Sequence, residues 1–149
     1  MLIDDKLNIK LLDFGLACKG QTKDLNNWVG TPSYMAPEIH EQRQYNAKEI
    51  DIFSLGVIIF SIVVGRFPFE KATMDNYYYS LIKREMVEEF FSGSRSAHLS
   101  PEFKELMMKM FAYDGSKRPT ISEIKNHPWM CINSIKVEIE IPKHKFNKS

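Results

Sequence analysis

The chain has 149 residues, 44% hydrophobic, 26% charged and 12% aromatic, an ordinary globular composition that excludes disorder over the whole length. Its 20 Lys+Arg against 19 Asp+Glu leave a formal net charge of +1, which excludes the strong basic field of a nucleic-acid-binding protein. Two cysteines, Cys18 and Cys131, stand far apart without paired or histidine-rich spacing, which argues against a disulfide framework or zinc site and points to a reducing, cytoplasmic or nuclear, compartment.

Residues 1–12 alternate around a polar break at Asp4-Asp5-Lys6, with Leu7, Ile9, Leu11 and Leu12 beyond it. That pattern predicts two short strands joined by a turn. The start, Met1-Leu2-Ile3-Asp4-Asp5, has neither the basic opening nor the long apolar stretch of a secretion signal. From Asp13 to Met35 the periodicity stops, and Gly15, Gly20, Gly30 and Pro32 punctuate a stretch rich in Asn, Lys and Thr. A long ordered loop is expected, with a helix resuming near Ala36. Loops of about twenty residues inside a compact domain are uncommon and mostly functional.

Residues 49–64 (EIDIFSLGVIIFSIVV) are apolar around most of a helical circumference, which predicts a helix buried on all sides and stopped by Gly65. The longest apolar segment, residues 55–64, falls far short of the ~20 residues of a membrane span, so no membrane association is expected. Further helices are expected over residues 74–84 and from Ser100, as N-cap with Pro101 at the first position, to about 113. Thr120-Ile121-Ser122-Glu123 has the form of a capping box and starts a last helix ending before Pro128. Beyond Cys131, SIKVEIEI alternates strictly, with Ile135, Val137, Ile139 and Ile141 on one face. It reads as a strand-like tail suited to a partner or a sheet edge.

Asp13-Phe14-Gly15 follows the second strand, and Ala36-Pro37-Glu38 lies where the long loop becomes a helix. Each tripeptide alone is weak evidence. Between them sits Gly30-Thr31-Pro32-Ser33-Tyr34, and beyond them come Asp51-Ile52-Phe53-Ser54-Leu55-Gly56, Lys117-Arg118-Pro119 and His127-Pro128-Trp129. In this order the set resembles the C-terminal lobe of eukaryotic protein serine/threonine kinases. The resemblance implies a mainly α fold, a kinase-like helical bundle with a short N-terminal β-hairpin. Residues 1–130 would form part of a kinase domain and 131–149 a C-terminal tail. Residues 60–65, Phe67-Pro68-Phe69 and His127-Pro128-Trp129 look like those of calmodulin-dependent or AMP-activated-type kinases.

The implied activity is transfer of the γ-phosphate of ATP, with Mg²⁺, to Ser or Thr of protein substrates, with a regulatory protein as a further partner. Asp13 matches the carboxylate that holds Mg²⁺ against the phosphates, a hard oxygen for a hard cation; alone it would read as a strand-end turn cap. Leu2 aligns with the floor of the adenine pocket and Leu12 with the position before the metal-binding Asp, and a plain core leucine is an equal reading for each. Phe14 resembles the hydrophobic residue whose packing aligns the segment, with an ordinary core aromatic as its alternative, and Gly15 completes the motif. Thr31 matches the threonine whose hydroxyl contacts the catalytic base in serine/threonine enzymes. Trp28, Pro32 and Met35 match the apolar pocket for the substrate residue after the phosphoacceptor, with loop packing as the alternative. Glu38 and Arg118 match a buried ion pair that ties the end of the loop to the base of the lobe, a site suited to a bidentate Arg fork. Asp51, at the start of an apolar helix where an unpaired carboxylate is expensive, matches a residue that accepts backbone N–H groups from the catalytic loop.

The chain also departs from the family. The glycine-rich loop, the Val-Ala-Ile-Lys strand and the His-Arg-Asp…Asn loop, which supply the phosphate-anchoring Lys, the base and the second metal ligand, do not occur in it. Met1 aligns just after the place where that catalytic loop ends, as an internal methionine or a truncated gene would give. The 149 residues alone are therefore expected to be inactive, with activity belonging to an intact parent. The alternative is a kinase-like interaction module that binds substrates, regulators or a complementing lobe through residues 28–35 and 74–84; without a first lobe, Leu2, Leu12 and Phe14 are expected to expose an apolar patch. The usual activating hydroxyl falls at Asn27, and no hydroxyl occurs over residues 23–30, so activity independent of phosphorylation there is expected. An acidic residue that some basophilic kinases carry near Ser61 is missing, which leaves the substrate charge preference open.

Overall fold

The computed structural model of the chain describes residues 2–6, 8–17, 30–93, 96 and 98–132. At its start β1 (Leu2–Ile3) and β2 (Ile9–Lys10) pair antiparallel, with Leu2 opposite Lys10 and Ile3 opposite Ile9. Asp4 shapes the turn between them: its Oδ1 accepts from the backbone N–H of Lys6 (3.0 Å) and of Asn8 (2.8 Å). An Asx turn of this kind is why the polar break reverses the chain. The hydrogen bonds from Asn8 hold the Asp4 carboxyl below its ordinary value.

The described end of the long loop is a 3₁₀ turn, Pro32–Tyr34, followed by α1 (Pro37–His40), each with proline at its first position, where a missing N–H loses nothing. Next, α2 (Ala47–Val64) is capped by Asn46, whose side chain accepts from the Lys48 N–H at 3.0 Å, and ends at Gly65 in the left-handed region with φ 75°. Its buried residues are Ile52, Phe53, Gly56, Val57, Phe60 and Val64. The expectation of burial on all sides is corrected here. Ile62 is 77% exposed and Val63 also faces solvent, because the described elements cover only one face of a helix whose apolar character runs nearly all round.

After α2 come α3 (Tyr77–Lys83) and α4 (Val87–Phe90). The third helix starts later than expected because the Asn76 side chain caps it, accepting from the Tyr79 N–H at 3.1 Å. Then α5 (Pro101–Met110) begins at Ser100, whose Oγ accepts from the Phe103 N–H at 3.2 Å. A 3₁₀ turn, Gly115–Lys117, leads to α6 (Ile121–Lys125), which carries the expected capping box, and α7 (Pro128–Ile132) follows. Trp129 of α7 packs on Phe103 of α5 with ring centroids 5.1 Å apart.

Aromatic rings fill the core where α2, α3 and α5 meet. Phe53, Phe60, Tyr79, Phe103 and Phe111 are fully buried, and Phe69 stands edge-on to both Tyr79 (5.2 Å) and Phe111 (5.4 Å), a favoured arrangement for ring quadrupoles. The helical bundle with its small hairpin has the mainly α architecture that the sequence predicts. The strand reading of the tail lies on residues 133–149, outside the described residues.

Candidate functional site

Asp13 leaves the hairpin with φ 63°, a left-handed conformation that Asp tolerates better than most residues. Its Oδ1 accepts from the Gly15 N–H at 3.0 Å, and the turn closes with the Ala17 N–H on the Phe14 carbonyl at 3.0 Å. A Cβ at Gly15 would lie 3.1 Å from Asp13 Oδ1, so a glycine suits the carboxylate's seat. Asp13 and Gly15 are both exposed. Leu2 (59% exposed), Leu12 (54%) and Phe14 (69%) form apolar surface beside it. The plain-core alternative does not hold for them: the hairpin's two short strands leave these side chains uncovered among the described residues, as the expected apolar patch.

Pro32 and Met35 lie on the far end of the loop. Thr31 is exposed, and its carbonyl accepts from the Tyr34 N–H at 3.0 Å while its side chain caps nothing among the described residues. Pro32 is half-buried, and its carbonyl accepts from the Met35 N–H (3.2 Å) and meets His40 Nε2 at 3.2 Å. Burial keeps His40 below its ordinary value, outweighing that carbonyl. Met35 is buried in a small cluster with Ile39 and Tyr45, so its side chain packs into the fold. Ser54 of α2 donates to the Tyr34 carbonyl at 2.9 Å and fastens the turn to the bundle. Trp28 lies outside the described residues, as do Thr22, Asn27 and Cys18.

A buried polar contact joins Glu38 of α1 to Arg118. Arg118 Nη1 donates to Glu38 Oε1 at 2.6 Å and Nη2 to Oε2 at 2.7 Å, a two-pronged pair with both residues buried. The remaining edges are also used: Nε donates to the Ala112 carbonyl (3.0 Å), Nη1 also to the Glu49 carbonyl (3.0 Å), and the guanidinium lies 5.0 Å from the Phe53 ring centroid. Only an arginine supplies this many fixed donors at one point.

Asp51 is exposed, on the rim of a hollow of about 760 Å³ lined also by Ile52, Leu55, Pro119, Thr120 and Ile121. The expectation that it accepts backbone N–H groups finds no such partner among the described residues, and partial burial alone raises its carboxyl.

Sequence reasoning missed two features. Tyr113 donates to Glu41 at 2.7 Å, Arg43 Nε donates to the same carboxylate at 2.6 Å, and Lys83 Nζ stands 3.7 Å from the Tyr113 ring centroid. Arg66, just after the helix-stopping Gly65, lies over the rings of Phe60 and Tyr78. Each joins residues from separate segments, and no local spacing announces them.

Chemically, the site offers one exposed carboxylate at Asp13, with Oδ2 free of hydrogen bonds among the described residues. Among the described residues no cluster of three or more His, Cys, Asp or Glu is placed to hold a metal. One carboxylate suits a Mg²⁺ ion that takes its other oxygens from phosphates and water; it does not suit a metal held by protein alone.

Compared with known proteins, residues 1–130 match the protein kinase domain family. The chain is 39% identical over 134 residues to the "Probable serine/threonine-protein kinase CCRP1" of Zea mays, covering 87% of the chain and 20% of that protein. It is 35% identical over 133 residues to the serine/threonine-protein kinase SRK2G of Arabidopsis thaliana, covering 89% of the chain and 37% of that protein. With the serine/threonine-protein kinase SIK2 of Gallus gallus it shares 34% identity over 131 residues, covering 87% and 16%. The chain thus spans well under half the length of these relatives.

Proposed function

The chain belongs to the protein kinase domain family, and from that premise we propose that it is part of a protein serine/threonine kinase that transfers the γ-phosphate of ATP to Ser or Thr of protein substrates. In this reading Asp13 is the Mg²⁺ ligand, Leu2 and Leu12 line the nucleotide site, and Phe14 and Gly15 set the carboxylate's orientation. Thr31 positions the catalytic base, and Trp28, Pro32 and Met35 seat the residue after the phosphoacceptor. Glu38 and Arg118 hold the frame, and Asp51 accepts backbone N–H groups from the catalytic loop of an intact parent. Asp13 would hold the Mg²⁺, which would supply neutralisation of the phosphate charge. What Asp13 itself does is present an exposed anionic oxygen from a seat locked by the Gly15 N–H.

The observation that carries the reading is the buried Glu38–Arg118 fork. It fixes the end of the motif-bearing loop to the base of the bundle, and positioning is most of what phosphoryl transfer asks of a protein. The chain has no His-Arg-Asp…Asn loop, so the 149 residues alone lack the base and do not transfer phosphate. The test is a phosphotransfer assay with ATP, Mg²⁺ and a protein substrate. The chain alone is expected to be silent; joined to an upstream in-frame segment bearing the glycine-rich loop, the Val-Ala-Ile-Lys strand and His-Arg-Asp…Asn, it is expected to turn over at about 1–100 s⁻¹, and Asp13→Asn to abolish that rate. Turnover in that range by the isolated chain would sink the reading.

A second reading rests on the exposed Leu2, Leu12, Phe14 and Leu16: a kinase-like interaction module that binds a regulatory protein or a complementing lobe through this apolar strip. A cytoplasmic or nuclear location is part of the proposal on cysteine usage. Among the described residues no helix is long and apolar enough to cross a membrane.

A further inference from the structure

Where α2 ends, Gly65 turns the chain and Arg66 follows, half-buried, on the wall of a hollow of about 380 Å³ lined also by Ser33, Phe67, Phe69, Glu70 and Tyr78. Ser33 belongs to the Pro32–Tyr34 turn, and the Tyr34 ring stands edge-on to Phe67 at 5.4 Å. The hollow therefore opens directly beside the segment proposed to seat a substrate. The Arg66 guanidinium is held by two rings, with Cζ 5.6 Å from the Phe60 centroid and 5.4 Å from that of Tyr78. Such stacking restricts a long side chain that would otherwise sweep through solvent.

Held in this way, the guanidinium spends little of its hydrogen-bonding capacity. Nη1 donates to the Phe67 carbonyl at 3.1 Å. Among the described residues no carboxylate lies within ion-pair distance of Arg66, and Nε and Nη2 have no partner. The other charged wall residue, Glu70, is exposed and makes no ion pair with it. A carboxylate in open water is already hydrated, whereas a planar, half-buried cation with unused N–H groups gains most by receiving one. The apolar faces of Phe67 and Tyr78 suit the methylene stem that would carry it.

We infer that Arg66 determines substrate specificity by receiving an Asp or Glu side chain of the bound protein segment, so that Ser- or Thr-bearing segments with a nearby carboxylate are selected over those with Lys or Arg. This rests on the kinase reading above, since it assigns a substrate preference to the same groove.

The test uses the 149-residue chain, ¹⁵N-labelled, titrated with short serine peptides identical but for one Glu, Ala or Lys walked through each position. Amide and arginine side-chain shifts register even weak binding. At one or two positions the Glu peptide is expected to bind about tenfold tighter than its Ala counterpart, with the Arg66 Nε–Hε resonance shifting. Arg66→Ala is expected to erase that preference, and Arg66→Lys to keep only part of it because the fork is lost. Circular dichroism verifies that both variants fold. Equal binding of the three peptides, or a Glu preference that survives Arg66→Ala, overturns the assignment while leaving the substrate groove standing. Tighter binding of the Lys peptide assigns the hollow to Glu70 and overturns it equally. A folded chain that binds none of the peptides overturns both the assignment and the groove.

Discussion

Arg118 spends its donors on Glu38 and on two backbone carbonyls, inside the protein and against a phenylalanine ring. Removing the guanidinium would strand the Glu38 carboxylate in a buried site. Arg118→Ala is expected to destabilise the chain by about 3–5 kcal/mol in urea unfolding. Arg118→Lys should recover only a fraction, since an ammonium cannot make the paired contact. Asp51 makes a different prediction. Its carboxyl is raised by burial, so the folded chain favours the protonated form; the stability this gives is present at acid pH and lost as pH rises through the raised value. Asp51→Asn is therefore expected to be the more stable chain at neutral pH, with the difference shrinking toward acid pH, and urea midpoints across a pH series check the sign. The partnership of Glu38 and Arg118 was legible only through the resemblance, since 80 residues separate them. Tyr113, which gathers Glu41, Arg43 and Lys83, had no such guide: nothing in the local spacing of four scattered residues says they will meet.

Among the elements, the crossing of α2 over α5 depends on a missing side chain. A Cβ at Gly56 would stand 3.0 Å from Met110 Cβ and 3.0 Å from Phe111 Cε1, neither of which is the free end of a flexible chain. Gly56→Ala is expected to push the two helices apart and cost about 1–3 kcal/mol, read as a fall in Tm. At Gly65 the added carbon would meet nothing within 4 Å, so Gly65→Ala isolates the left-handed backbone strain, about 1–2 kcal/mol. Helix boundaries set by local chemistry were readable in advance: Ser100, Thr120 with Glu123, and Gly65 all act where the sequence puts them. The one-turn helices Val87–Phe90 and Pro128–Ile132 were not, because four or five residues carry no helical period. Nor was the bare side of α2, since a helix apolar all round does not say which faces its neighbours cover.

For the whole molecule, the consequence of the uncovered surface is a measurable stickiness. Leu2, Leu12, Phe14 and Leu16 on the hairpin side are more than half exposed. The chain is expected to enhance the fluorescence of a hydrophobic dye while keeping a cooperative unfolding transition, and Leu12→Lys with Phe14→Lys to reduce the dye signal severalfold at nearly unchanged Tm, because exposed side chains lose little packing. A dye signal unaffected by these substitutions would remove the hairpin as the interaction surface of the second reading.

The Glu38–Arg118 fork also governs time as well as place. It closes a loop of 80 residues, and a contact between segments so distant in the chain is reached only after the nearer helices have assembled. Both charges are expected to stay hydrated until that last approach, which leaves the fork out of the folding barrier and in the product. Its loss in Arg118→Ala should then appear almost wholly as faster unfolding, with the refolding rate scarcely changed: a latch that sets how long the bundle lasts once formed, and has little to do with how quickly it forms.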